Sequence, residues 1–229
     1  MSPPAQKLSA GKPSAPAFAA REFTDDPVDD ATLHRILDAA RFAPSGGNRQ
    51  GWHVIVVRDA DKRGAIVELI KPTMRRYLAQ AAAGENPWNT IVPSKVDEAQ
   101  VAAIEVPDWL VQNVLHAPLL LLVAVDLRVV ASFDAQLPRV GVISGASIYP
   151  FVWNILLAAR NEGLGGTLTT FLAPAEAAAR ALFDLPDGFA VAALLPIGKP
   201  VKQLTKLKRK SVEEFTTFDS YAGPRLDRA

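Results

Sequence analysis

The apolar positions of this chain change period several times, and each change marks an element. Leu33, Ile36, Leu37 and Ala40 recur at i, i+3, i+4 and i+7, which predicts an amphipathic helix capped by Asp29 or Asp30 and stopped at Pro44. "WHVIVV" at 52–57 is short and rich in β-branched residues, so it reads as a buried strand. Residues 61–83 return to a helical pattern, and a short helix through 111–116 feeds a second strand, "LLLLVAVD". The segment 144–160, "SGASIYPFVWNILLAAR", is apolar nearly all round, as expected of a helix buried in a core or at a subunit interface, with Pro150 near its first turns. "NEGLGGTLTTF" caps that helix with glycines and leads into a short extended piece. Pro174 then opens a helix through "PAEAAARALF", and "GFAVAALLPIG" is a final strand.

Three stretches fall outside these patterns. "GENPWNTIVPSKVDEAQVAAIEVPDW" at 84–109 is broken by prolines and carries Trp88 and Trp109; it reads as a long surface excursion, either a binding loop or lid or plain surface packing. Residues 1–19, rich in Pro, Ala and Ser without the apolar run of a secretory signal, read as a tail. Residues 20–215 read as one domain and 216–229 as a C-terminal extension lying across a partner chain or loose.

Composition removes several chemistries. Lys and Arg total 25 against 24 Asp and Glu, so the chain as a whole exerts no strong pull on nucleic acid or acidic membranes. No apolar run approaches the roughly 20 residues that span a bilayer. With no cysteine, disulfides, thiolate metal sites and a cysteine nucleophile are excluded, and a reducing cytoplasmic location is expected. His34, His53 and His116 are scattered without ligand spacing, so no metal site is expected. Ser45 and Ser144 lack a nucleophile elbow, and "GLGGTL" follows a helix and lacks the spacing of a dinucleotide fingerprint. What remains is neutral hydrogen-bonding groups at Ser45, Asn48, Gln50, Thr169 and Thr170, with cations at Arg21 and in "KLKRK" at 206–210. That set suits a cofactor with one phosphate and a polar ring.

Four segments in order, "REFTDDPV" at 21–28, "ILDAARFAPSGGNRQGWHVIVV" at 36–57, "ILLAARNEGLGG" at 155–166 and "LLPIGKP" with "LKRKSVEEF" through 215, resemble the FMN-dependent nitroreductase family. The resemblance implies an α+β, three-layer fold with a mostly antiparallel sheet flanked by helices. It also implies an intertwined homodimer with two FMN sites between protomers.

By the same resemblance, Ser45, Gly46 and Asn48, supplied by the opposite protomer, serve the ribityl or phosphate side of the flavin. Leu168, Thr169 and Thr170 lie along the ring, and Asn113 contacts its pyrimidine edge. Lys208 and Arg209 pair with the phosphate, where the planar guanidinium binds two oxygens. Arg21 sits near N1 and O2, where a cation favours the reduced, negatively charged ring; no acid or base is assigned. Ala17 and Ala19 stand where relatives carry phosphate-binding Arg and hydroxyl residues, with Lys12 a substitute under a shifted alignment. The implied activity is ping-pong transfer of hydride from NADPH or NADH through FMN to nitroaromatics or quinones, with Trp88 or Trp109 lining the acceptor pocket. The alternatives are a specialised dehalogenase or heterocycle dehydrogenase of the same fold, and a protein that binds FMN or another flat ligand without turnover.

Overall fold

The computed structural model describes residues 19–203, which form one compact unit, and 207–227, which belong to a second. Lys12, Ala17 and Lys206 lie outside the described residues.

In the larger unit the elements run β1 (Trp52–Val56), β2 (Leu119–Asp126), β3 (Gly165–Gly166) and β4 (Phe189–Gly198), a sheet ordered β1-β2-β4-β3 in which every pairing is antiparallel. Helices α1 (Asp30–Ala40), α2 (Ala60–Ala82), α3 (Glu98–Ala102), α4 (Asp108–Leu115), α5 (Tyr149–Asn161) and α6 (Glu176–Phe183) cover it. β2 is an unbroken apolar run because both its faces are covered. Leu119, Leu121, Val123 and Val125 join the core under α1 and α5, while Leu120, Leu122 and Ala124 join the core under α2, α4 and α6. The result is three layers, helices on each side of the sheet, as the family resemblance implies. Trp52 of β1 stacks on Phe151 of α5 with ring centroids 4.5 Å apart.

Capping places the helices. Asp29 accepts from the Thr32 amide at the start of α1, and Asp59 accepts from the Lys62 amide at the start of α2. Pro72 sits inside α2 and removes a bond to the Glu68 carbonyl, yet packing of Ile66, Ile70 and Met74 carries the helix through it.

Three boundaries differ from the sequence reading. The 144–160 helix starts at Tyr149, because Pro150 occupies its first turn and residues Ile143–Ser147 form a 3-10 turn instead. The 84–109 excursion is not structureless: α3 lies within it, set by a capping box between Asp97 and Gln100, and α4 begins at Asp108 just after Pro107. Pro174 belongs to a 3-10 turn, Ala173–Ala175, that leads into α6.

The smaller unit's described part holds a 3-10 turn, Val212–Glu214, with a capping box between Ser211 and Glu214, and a bridge between Thr217 and Arg225.

Candidate functional site

Arg21 lies on an extended segment tied to the sheet on both sides. The Ala20 amide donates to the Gly166 carbonyl at 3.1 Å and the Thr24 amide to the Lys199 carbonyl at 2.9 Å, while the Val201 amide donates to the carbonyl of Glu22 at 3.1 Å. Ala20 is buried, while Arg21 and Glu22 are both exposed.

Facing this segment is α4. Leu110, Val111, Val114 and Leu115 pack into the core shared with α2, which leaves Trp109, Gln112, Asn113 and His116, at i, i+3, i+4 and i+7, on the opposite face. That face, Ala117 and the Arg21–Asp25 segment enclose a cleft of about 210 Å³. The structure therefore brings together Arg21 and Asn113, two residues far apart in the chain. The carboxamide Oδ1 of Asn113 is buried and has no hydrogen-bond partner. A buried acceptor left unpaired is costly; among the described residues Arg160 Nε and Arg180 Nε are also buried without a partner.

Ser45, Gly46 and Asn48 do not line this cleft. They form a 3-10 turn between α1 and β1 in which the Asn48 amide donates to the Ser45 carbonyl at 2.8 Å and the Gln50 amide donates to Ser45 Oγ at 3.0 Å. Gly47, Asn48 and Gln50 all have positive φ, 61°, 53° and 50°; only glycine adopts this without cost, so two strained residues are held in one exposed loop. Gln50 Nε2 donates to Asn48 Oδ1, and the Gly46 amide donates to Ser147 Oγ at 3.1 Å. Ser147 is buried and orients this loop from the turn before α5; nothing in the local sequence distinguished it.

Leu168, Thr169 and Thr170 continue along the β4 edge beyond β3. The Thr169 amide and carbonyl bond to Leu194 at 3.0 and 2.8 Å, Leu168 packs on the α1–α5 core, and Thr170 is exposed. In the smaller unit Lys208 and Arg209 are exposed, and Arg209 Nη1 donates to the Lys208 carbonyl at 2.8 Å.

The two tryptophans of the excursion separate. Trp109 lines the Arg21 cleft, whereas Trp88 lines a different pocket of about 680 Å³ with Gln80, Glu85, Asn86 and Lys95. The Ser94 hydroxyl and Lys95 amide donate to Glu85 and hold its carboxyl below the ordinary range. Beside the Arg21 segment, the Lys199 ammonium at 2.8 Å lowers the pKa of Asp26.

No helix among the described residues is long and apolar enough to cross a membrane. The sequence profile of the Nitroreductase family matches residues 18–199. The chain is 30% identical over 190 residues to an NADH dehydrogenase of Thermus thermophilus, covering 80% of this chain and 82% of that one. It is 29% identical over 180 residues to 5,6-dimethylbenzimidazole synthase of Rhodospirillum rubrum, covering 79% and 76%. Among solved structures, oxidized iodotyrosine deiodinase bound to FMN and 3-iodo-L-tyrosine superposes with a TM-score of 0.61 at 22% identity, over 88% of this chain and 96% of that one. With its three-layer antiparallel architecture and a profile match across nearly the whole larger unit, the chain belongs to the nitroreductase family.

Proposed function

We propose that this chain is an FMN-dependent oxidoreductase that takes reducing equivalents from NADPH or NADH and delivers them to nitroaromatic or quinone-type acceptors in a ping-pong cycle. The observation that carries the reading is that Arg21 and Asn113, whose carboxamide Oδ1 has no partner among the described residues, line one cleft. A flavin's pyrimidine edge presents an N–H donor next to carbonyl and ring-nitrogen acceptors, which complements one buried acceptor and one cation. The donor set therefore fits the cofactor. FMN is also the ligand named for the deiodinase of the same fold.

Bound FMN would supply the hydride chemistry; the chain supplies position, charge and shelter. Asn113 accepts from the ring edge and so fixes its rotation, while Arg21 holds positive charge at the same edge. Leu168, Thr169 and Thr170 offer a short rigid border, since Thr169 is pinned to β4 on both of its backbone groups. Ser45, Gly46 and Asn48 present a small polar loop for the ribityl or phosphate side, and Lys208 and Arg209 supply charge for the phosphate.

The Arg21 cleft lies below the roughly 300–1,000 Å³ usual for small-molecule pockets, so by itself it takes only one edge of such a ligand. This supports a site completed by a second copy of the chain. So does the helix α5, whose Tyr149, Trp153 and Leu157, spaced i, i+4 and i+8, form an apolar stripe 42%, 48% and 38% exposed. In this reading the active species is a homodimer with two flavin sites, working in the cytoplasm.

A second reading, a specialised enzyme acting on a fused heterocycle, is favoured by one observation: the match to 5,6-dimethylbenzimidazole synthase is about as extensive as that to the NADH dehydrogenase. The same flavin site serves both, and residues of the 84–110 excursion carry the difference.

The test starts with the purified full chain. It should be yellow, bleach anaerobically with NADPH or NADH, and reoxidise with a quinone or nitroarene. Protein that takes up no FMN overturns the proposal; protein that binds FMN but is not bleached leaves only the passive flavin binder. Arg209→Ala should lower the bound flavin content, and full retention would remove the phosphate role of that residue.

A further inference from the structure

The short helix α4 carries the cleft wall, yet little of its own sequence holds it. It has eight residues, its N-cap is Pro107 with no side-chain cap, and isolated helices of that length are unstable in water. Its last turn contains Asn113, and the chain then turns directly into β2.

That corner is fastened from α2. Arg63 Nη1 donates to the Leu115 carbonyl at 3.0 Å and to the Ala117 carbonyl at 2.7 Å, and its Nε donates to the Val57 carbonyl at 2.9 Å. One guanidinium thus binds the end of α4, the start of the β2 approach and the end of β1. Leu115 offers one of the free carbonyls of a helix C-terminus, where a cation is favoured, and Ala117 itself lines the cleft. Among the described residues no carboxylate pairs with Arg63, and burial alone pushes its guanidinium pKa down. A half-buried arginine without a counter-ion, spent wholly on three main-chain carbonyls, is positioned for geometry and not for charge neutralisation.

We propose that Arg63 is a positioning residue for the flavin cleft: by locking the Leu115 and Ala117 carbonyls it fixes the rotation and depth of the Asn113 carboxamide opposite Arg21. This rests on the flavin reading above. Arg63 does not itself line the cleft; it acts through the main chain of Leu115 and Ala117.

A double-mutant cycle tests it. FMN dissociation constants are measured by the fluorescence of free flavin, and the visible circular dichroism of bound flavin is recorded, for the full chain, Arg63→Ala, Asn113→Ala and the double variant. Arg63→Ala should raise the dissociation constant about tenfold in the wild-type background, the scale of one lost hydrogen bond to a charged or buried partner. In the Asn113→Ala background the same change should add less than about twofold, because the group it positions is already gone. Arg63→Lys, which keeps a donor for the corner, should restore most of the affinity and the wild-type dichroism. If Arg63→Ala does not fold, Arg63→Met, which keeps the side-chain length but has no donor for the three carbonyls, goes through the same cycle under the same criterion. Effects of Arg63 and Asn113 that simply multiply, or an unchanged dissociation constant in a folded Arg63→Ala or Arg63→Met variant, overturn the positioning role while leaving the flavin reading intact. A wild-type chain that binds no FMN overturns both.

Discussion

Gly166 offers a sharp test of how tightly the layers close over β3. Its backbone is not left-handed, so the effect of Gly166→Ala comes from space and not from backbone strain. A Cβ placed there would lie 2.8 Å from Ile197 Cγ1, 2.9 Å from the Pro196 carbonyl oxygen and 3.0 Å from Leu156 Cδ2. Ordinary carbon contacts are about 3.5–4.0 Å, so three neighbours are crowded at once. Two of them cannot swing away: the Pro196 oxygen belongs to a strand paired on both sides, and Ile197 is fully buried. Overpacking of a closed site costs about 1–3 kcal/mol, and the involvement of main chain puts this substitution in the upper half of that range. Urea unfolding at constant m-value should show that loss, and thermal unfolding should show a Tm drop of about 2–4 °C for each kcal/mol in a domain of this size. A loss below about 0.5 kcal/mol, the level of an ordinary surface substitution, would mean that β3 and β4 are not held together as described.

Other outcomes follow from the same structure. Gly64→Ala, in the interior of α2 with nothing within 4 Å of the new methyl, should stabilise by about 0.5–1 kcal/mol in urea unfolding; a destabilisation would contradict the open space there. The carboxylate of Asp134 is buried and accepts from the Val142 amide and Arg139 Nη1, both at 2.7 Å, and the Val142 amide above all, followed by Arg139, lowers its pKa from 3.8 to about 2. A depressed carboxyl pKa contributes stability present above 3.8 and lost as pH falls toward 2, so the stability gap between wild type and Asp134→Asn should narrow between pH 4 and pH 2 in denaturant titrations. An unchanged gap would refute the assignment. Arg21→Ala should slow anaerobic reduction by NADPH or NADH about tenfold or more while retaining part of the flavin, measured by stopped-flow absorbance; an unchanged rate would remove Arg21 from its role.

The elements were legible wherever burial alone chose the residues. The apolar run of β2 read as a strand, and Leu33, Ile36 and Ala40 fixed the buried face of α1. Boundaries were less legible where local chemistry competes with pattern: apolar residues from 144 onward read as one helix, but Gly145 and Pro150 let the chain take a 3-10 turn first. α3 escaped notice because five residues carry too little periodicity, although its capping box at Asp97 and Gln100 was there to be read.

The sequence by itself determined most of the helices and strands and supplied a list of polar groups, because hydrophobic period depends only on which neighbours along the chain share a face; the layering came from the family resemblance. Which of those groups meet was decided by tertiary structure. Arg21 and Asn113 share a cleft only because an extended segment bonds to Gly166 of β3 and to the stretch after β4, and α4 turns its apolar side to α2, leaving 109, 112, 113 and 116 outward. Ser147 under the glycine loop and Arg63 under the α4 corner carried no signal at all, since each acts through main-chain groups distant in sequence, and such partners exist only once the chain has folded.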